Sequence, residues 1–233
     1  MRIWDIHPGY LNRQSLLGEH RELHGIVSII ANNKKGYSKH PETLRWVNRG
    51  WALKQRHRLL AAEMSLRGYH DRSPVSLRSN KELWPETYID EPFTQFQLLA
   101  SKYHNREPGR IPLPDNAQQF WSQHKYSVLA RNESLYRKLG RDFAAIRPRE
   151  NYSALATTVT EQLRISPTPG GINNALLHMW GYVSDAAASK KNKIETWSSR
   201  RLLKTIQQNS LLQKQNYIIS STALTELEIW IPG

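Results

Sequence analysis

A short run near the start of the chain, Glu19-His20-Arg21-Glu22-Leu23-His24, carries residue types that could act on a glycosidic bond. An ionised carboxylate such as Glu22 can stabilise the oxocarbenium ion that develops when the bond to a sugar breaks. It can also move protons once the sugar is held covalently. The same run is typical of a solvated helix face with mixed charges. The residues alone leave both interpretations open.

Other common catalytic motifs are absent from the sequence. There is no glycine-rich phosphate loop, no His-Glu-x-x-His metal pair and no Gly-x-Ser-x-Gly elbow. His20 and His24 can share a helix face, but a metal ion needs more ligands than that pair. Cysteine is absent, which excludes disulfides, thiolate ligands and a cysteine nucleophile. The sequence therefore predicts neither a metal nor a cofactor.

Helical periodicity dominates the part of the chain that would position these residues. Apolar residues recur at helical spacing over 16–30 and stop at Asn32-Asn33. A second helix is predicted from His40-Pro41-Glu42 to Arg67, where Gly50 can kink it and Gly68 caps it.

Further helices are predicted in the rest of the chain. One opens at Asp90-Glu91-Pro92 and ends near Tyr103, one follows an Asp115–Gln118 capping box, and one opens at Asn132-Glu133. Others are expected near 150–164, 171–188 and 194–208, and the only strand pattern is Tyr217-Ile218-Ile219. The predicted fold class is mainly α, with a small helical domain followed by a second all-α domain.

Basic charge is concentrated towards the start of the chain. The whole sequence has 33 Lys+Arg against 20 Asp+Glu, and residues 1–81 hold 15 basic and 6 acidic side chains. Such an excess suggests a polyanionic partner, most often nucleic acid, or simply a basic surface. Polar or proline-rich stretches at 70–75 and 106–114 are typical of joints. We therefore expect a domain at 1–80, a linker with one helix at 81–114 and a helical domain at 115–233.

Several motifs resemble the pyrimidine-dimer DNA glycosylase/AP lyase family, in its phage endonuclease V-like form and its bacterial branch. The run Leu16-Leu17-Gly18-Glu19-His20-Arg21-Glu22-Leu23 is similar to the catalytic helix of that family. Met1-Arg2-Ile3-Trp4 and residues 34–42 and 53–69 resemble other parts of it. The resemblance covers about residues 1–75 and implies a small helical DNA repair enzyme.

The resemblance also implies a mechanism. The α-amino group of Met1 would be the nucleophile that forms an imine with the damaged nucleotide, Glu22 would be the essential carboxylate, and β-elimination would nick the strand. Arg2 and Arg21 match arginines that hold phosphates. The phage enzymes use a threonine amine after removal of the initiator, whereas the large Arg2 predicts that Met1 is retained here. An α-amine is a weaker base than a lysine side chain, so more of it is free near neutral pH.

The resemblance and the mixture of basic and aromatic residues downstream predict contacts to double-stranded DNA that carries base lesions. The predicted DNA-binding residues are Arg2, His20, Arg21, His24, Lys34, Lys35, Tyr37, His40 and Arg45. No apolar run is long enough to span a membrane. The absence of cysteine fits a cytoplasmic protein, which we expect to be nucleoid-associated when bound to DNA. Two alternatives stay open: a glycosylase for a different base lesion, and a nucleic-acid-binding module without catalysis.

The second half resembles an uncharacterised helical domain family that is found fused to such glycosylases. The matching runs are 120–126, 136–141 and 173–182. Within them His124, Lys125, His178 and Tyr182 could converge on an anionic ligand or on nucleic acid. The same residues also fit a packed core from which Lys125 extends to the surface.

Overall fold

Helices account for the regular structure throughout the described chain. The computed structural model describes residues 1–77, 82–147, 150–184, 194 and 196–232, and these form helices and turns without a strand. Their contacts divide the chain into unit 1, Met1–Gly109, and unit 2, Arg110–Gly233. The predicted mainly α fold class is confirmed. The segment expected to link two domains, 81–114, belongs to unit 1 as far as Gly109.

Unit 1 is built from four α-helices and a 3-10 turn among its described residues. These are the turn Pro8–Tyr10, α1 (Arg13–Ala31), α2 (Pro41–Trp46), α3 (Gly50–Leu66) and α4 (Pro92–Lys102). Helix α1 starts where the Asn12 side chain accepts the backbone N–H of Ser15 at 2.9 Å, and it stops at Asn32 as predicted.

The predicted second helix is in fact two helices. Helix α2 ends at Trp46, and Asn48 has a φ of 61°, a left-handed conformation that cannot continue a right-handed helix. Helix α3 then starts at Gly50, so a single kinked helix was the wrong prediction. Gly68, with a φ of 82°, turns the chain back at the end of α3, as its position predicted.

Helix α4 is packed tightly into unit 1. Its Phe96 ring meets Tyr10 edge-on with centroids 4.8 Å apart, and the Tyr103 hydroxyl accepts the Asn12 N–H at 3.0 Å. A Cβ on Gly109 would lie 2.5 Å from the Tyr10 backbone, so only glycine allows the chain to pass there. Residues after α4 are therefore held against the start of the chain.

A buried ion pair joins α1 to α3. Arg56 donates to both carboxylate oxygens of Glu19, at 2.6 and 2.9 Å, and to the Ile6 carbonyl at 2.8 Å. Glu19 is 2% exposed and Arg56 4% exposed. Burial raises the pKa of Glu19, and the adjacent Arg56 guanidinium opposes that rise. Because a buried charge is stable only with a partner, the two helices are tied to one relative position.

Unit 2 contains seven described α-helices. They are α5 (Ala117–Leu129), α6 (Glu133–Ala145), α7 (Ser153–Leu163), α8 (Pro169–Trp180), α9 (Ser199–Leu212), α10 (Asn216–Ile219) and α11 (Ala223–Glu226), followed by a 3-10 turn at Leu227–Trp230. In the described parts of the whole chain, no helix combines the length and apolar character that crossing a membrane requires.

Two local predictions for unit 2 need correction. The N-cap of α5 is Asn116, whose side chain accepts the Gln119 N–H at 2.9 Å, one residue later than the predicted box. The predicted strand at Tyr217-Ile218-Ile219 is instead part of α10. Short apolar runs do not separate a strand from a buried helical turn, which accounts for that error.

Aromatic rings fill the core of unit 2 around Phe120. Phe120 lies 5.7 Å from Phe143 and 5.4 Å from Tyr152, measured between ring centroids. The His124 ring stacks 4.2 Å from Phe120, and its Nδ1 lies 2.8 Å from the Phe120 carbonyl oxygen. Burial lowers the pKa of His124 to about 4, although the hydrogen bond to Phe120 acts in the opposite direction. His124 is thus a neutral core residue at neutral pH.

We expect Arg56→Met to destabilise unit 1 by about 3–5 kcal/mol, because it leaves the Glu19 carboxylate buried without its partner. Removing both charges in Glu19→Met/Arg56→Met should recover part of that loss. Hydrogen–deuterium exchange of α1 and α3 peptides along a urea series measures unit 1 separately from unit 2. Arg58→Met, on the exposed side of α3, is the matched control and should have little effect. A single variant as stable as the parent would contradict this role of the pair.

We expect unit 2 to lose stability as the pH falls below about 6.5. The unfolded chain protonates His124 from that pH downward, whereas the folded chain resists protonation until about pH 4. The free energy of unfolding should fall by about 2 kcal/mol from this residue between pH 7 and pH 5. Exchange of α5 amides at the two pH values measures it.

His124→Gln should remove that part of the pH dependence even if it lowers stability overall. His178→Gln, which replaces an exposed imidazole on α8, should keep the pH dependence of the parent. Equal pH dependence in the parent and His124→Gln would show that His124 is not the titrating group.

Candidate active site at the N-terminus

Side chains of α1 and α4 accept backbone N–H groups from the first six residues of the chain. We call this set of hydrogen bonds the clamp. The N–H of Arg2 donates to the Glu22 carboxylate, and the backbone of Trp4 hydrogen-bonds the Glu19 carboxylate. Glu19 and Glu22 are three residues apart on α1, so both carboxylates face the same extended segment.

Helix α4 holds the following residues from the other side. The Gln95 side-chain oxygen accepts the N–H groups of Asp5, at 2.9 Å, and Ile6, at 3.4 Å. The Gln95 amide nitrogen donates to the Asp5 carboxylate at 3.0 Å and to the Asp90 carbonyl at 2.7 Å. Gln95 is buried, so these bonds form away from water. Together the two helices fix where the chain starts.

One of these contacts involves a predicted catalytic group, Glu22. The Glu22 carboxylate accepts the backbone N–H of Arg2. The α-amino group of Met1 belongs to the preceding residue, and consecutive Cα atoms of a chain are about 3.8 Å apart. Both Met1 and Glu22 are partly exposed, so a ligand can approach them. An amine nucleophile and a neighbouring carboxylate are the two groups that covalent catalysis with proton transfer requires.

The side chain of Arg2 is held beside the same site. Its guanidinium lies 2.6 Å from the Asp90 carboxylate and 4.2 Å from the centre of the Trp4 ring. About a quarter of the Arg2 side chain, 26%, remains exposed. Arg2 is therefore oriented but still accessible to an anionic ligand.

Arg45 was predicted to bind DNA, but its side chain is buried and paired with carboxylates of the protein. Its guanidinium meets Asp5 at 2.8 and 3.0 Å and Glu42 at 3.0 Å, and only 4% of its side chain is exposed. Burial lowers the pKa of Arg45, but Asp5 and Glu42 outweigh it and raise the pKa overall. Burial also raises the pKa of Glu42, against the effect of Arg45. Arg45 thus anchors α2 to the N-terminal segment.

The other predicted DNA contacts fall into two groups. Arg21, Lys34, Lys35 and Tyr37 are exposed, and Tyr37 is 70% exposed with a φ of 56°. His40 instead has a structural task, because its Nδ1 accepts the Glu42 N–H at 3.1 Å and caps α2. The four exposed residues lie along α1 and the loop that follows it.

His20 and His24 lie in a cluster that the sequence did not predict. His57 of α3 and Asp71 join them, and one ligand atom from each of the four lies within 4.8 Å of the others. The spacing of His20 and His24 was the only signal in the sequence. His57 and Asp71 are 33 and 47 residues beyond His24, so only the tertiary fold shows that they complete a group of four.

The four predicted residues of unit 2 have different surroundings. His124 faces the core, while Lys125 lies 4.9 Å from the Tyr126 ring and 5.0 Å from the Tyr217 ring. The ring of Tyr182 packs 4.9 Å from Tyr217, so Lys125 and Tyr182 share that aromatic cluster. Burial and the neighbouring tyrosines raise the pKa of Tyr126. His178 is exposed on α8.

Comparisons with known proteins divide the chain in the same sense as its motifs. Residues 1–77 match the family described as pyrimidine dimer DNA glycosylase. Residues 125–208 match a family described as a protein of unknown function, DUF1722. No curated protein matches the chain. No solved structure matches it either. The predicted fusion is thereby confirmed: this chain joins a segment that matches the pyrimidine dimer DNA glycosylase family to one that matches a domain family of unknown function.

Proposed function

We propose that unit 1 excises pyrimidine dimers from double-stranded DNA and cleaves the resulting abasic site, through an imine on the α-amine of Met1. The family match at residues 1–77 supports the glycosylase activity. The observation that carries the mechanism is the hydrogen bond from the Arg2 N–H to Glu22, because it sets the carboxylate beside the start of the chain.

The proposed reaction starts with the free amine. Its lone pair forms a bond to the anomeric carbon of the damaged nucleotide while the bond to the base breaks, and the base leaves with the electron pair. Glu22 stabilises the positive charge that develops on the sugar. Loss of a proton from nitrogen and opening of the sugar ring give the imine.

The second half of the reaction cleaves the strand. A base removes a proton from the carbon next to the imine, and the 3′ phosphate leaves as the new double bond forms. Glu22 is the carboxylate placed to carry protons in this step. Water then hydrolyses the imine and restores the amine. No metal or redox cofactor is needed to balance these steps.

The clamp supplies the geometry that this chemistry requires. A free chain terminus would sample many positions, and fixing a nucleophile in advance removes that entropy from the reaction barrier. Four backbone N–H groups, those of Arg2, Trp4, Asp5 and Ile6, are bonded to Glu22, Glu19 and Gln95. These backbone bonds support a pre-positioned amine.

We propose that fewer residues contact DNA than the sequence predicted, because several of the predicted residues are paired within the protein. Arg21, Lys34, Lys35 and Tyr37 are exposed, and in the described parts of the chain the first three form no ion pair. We assign phosphate contacts to them and to Arg2. Arg45, His40 and His20 have partners within the protein, and these three residues and the partly buried His24 are left out of this surface.

We expect borohydride to trap the protein covalently on duplex DNA with a single cyclobutane pyrimidine dimer. The reductant converts only an imine into a stable bond, so trapping reports the proposed intermediate. The protein must carry an authentic Met1, and the adduct should map to the N-terminal peptide. A version with one extra residue before Met1 is the matched control and should not be trapped.

Two results would overturn parts of this proposal. No adduct on the dimer or on an abasic site would exclude the imine mechanism and favour a binding module. An adduct on the abasic site, with no release from the dimer, would keep the lyase chemistry and point to another base lesion.

We expect Glu22→Gln to lower the rate of dimer excision by at least about 100-fold and to leave DNA affinity within twofold. The glutamine oxygen can still accept the Arg2 N–H, so the clamp persists while the negative charge is lost. Single-turnover cleavage and a binding titration measure the two effects. Glu107→Gln removes an exposed charge of unit 1 and should change neither. An unchanged rate in Glu22→Gln would remove this carboxylate from the mechanism.

A further inference from the structure

Three imidazoles and a carboxylate converge within unit 1, away from Glu22. The ring centroids of His20, His24 and His57 lie 4.7–5.3 Å from one another. The Asp71 carboxylate reaches between them, with one oxygen 3.1 Å from His20 Nε2 and the other 3.3 Å from His57 Nε2. Donor atoms that share a tetrahedral metal about 2.0–2.1 Å away lie about 3.3 Å apart, so both distances already match.

Two nitrogens of this cluster are buried without a hydrogen-bond partner among the described residues. They are Nε2 of His24 and Nε2 of His57, and the Asp71 oxygen near His57 is not in hydrogen-bonding geometry. His57 is only 6% exposed, so its ring lies within the protein and not at the surface. A buried polar atom in this state costs stability, and a bound ion would supply the partner that each nitrogen lacks. Both nitrogens belong to the residues whose ligand atoms lie within 4.8 Å of one another.

The local fold holds these residues in place. His20 and His24 are four apart on α1 and therefore lie on one face of that helix. Gly68 reverses the chain after α3, which returns Asp71 to the side of His57. The Ser73 N–H donates to one Asp71 oxygen at 3.0 Å, and the backbone of Ser73 also hydrogen-bonds His57. Partners of this kind orient metal ligands in known sites.

We propose that His20, His24, His57 and Asp71 bind one divalent transition-metal ion of the Zn²⁺ type. Imidazole nitrogen suits Zn²⁺ and its neighbours, whereas Mg²⁺ and Ca²⁺ prefer oxygen ligands. The neutral form of histidine is the one that binds metal.

The site is structural rather than catalytic. Four protein ligands complete a tetrahedral zinc shell and leave no position for substrate. Two residues along a helix rotate a side chain by about 200°, so Glu22 lies on roughly the opposite side of α1 from His20 and His24. The ion would cross-link α1, α3 and the chain after α3. Because the sequence has no cysteine, a disulfide cannot cross-link these elements, whereas the ion would.

The first test uses full-length, untagged protein that has been freed of metal with a chelator and then given Zn²⁺ alone. We expect one zinc per chain to remain after gel filtration and the melting temperature of unit 1 to rise by several degrees. Co²⁺ in place of Zn²⁺ should give the intense visible bands of a tetrahedral site. A protein that retains no stoichiometric zinc and gives no such bands would overturn the proposal.

Variants assign the ligands. His24→Gln and His57→Gln should each weaken zinc affinity by more than about 100-fold, since loss of a supporting partner alone costs 10–100-fold. His70→Gln, an exposed histidine next to Asp71, is the matched control and should bind zinc like the parent. Equal loss in the control, or none in the two variants, would place the metal elsewhere. Exchange of α3 amides without metal checks that each variant folds.

Discussion

The buried contact between Glu19 and Arg56 is the constraint on which unit 1 depends. It joins α1 to α3, and the same two side chains also bond the backbone of Trp4 and Ile6. The Glu19 carboxylate and the Arg56 guanidinium therefore pair with each other and also hold the N-terminal segment against the core. The half-buried Glu22, one helical turn further along α1, is then held in register with Arg2. Helix α1 therefore carries both Glu19, which holds the core together, and Glu22, the candidate catalytic residue.

The sequence predicted the elements better than their contacts. Helices α4 and α6 begin where Pro92 and Asn132 predict, because the signals that start a helix are local chemistry. The break at Asn48 and the helical state of Tyr217 were missed, since left-handed turns and short apolar runs are decided by tertiary packing. Glu22 and Met1 came from a resemblance, and their roles remain a prediction.

Charge is the clearest case in which counting residues misleads. Residues 82–109 bring five acidic and two basic side chains, so unit 1 holds 17 basic and 11 acidic ones. Asp90 meets Arg2 and Glu86 meets Arg49, each within 2.7 Å. Five of these basic side chains, those of Arg2, Arg45, Arg49, Arg56 and Arg67, are therefore paired with carboxylates, which no composition can reveal. Exposed basic residues such as Arg21, Lys34 and Lys35 stay available to a polyanion. Likewise, the sequence pairs only His20 and His24, and the tertiary fold adds His57 and Asp71 to give a group of four candidate ligands.

The recognisable family segment and the folding unit have different lengths. The match ends at residue 77, but Asp90 and Gln95 lie beyond it and hold Arg2, Asp5 and Ile6. A fragment cut at the family boundary would lose half of the clamp on its own first residues. Helix α4 therefore helps to position the N-terminal segment although it lies outside the matched residues.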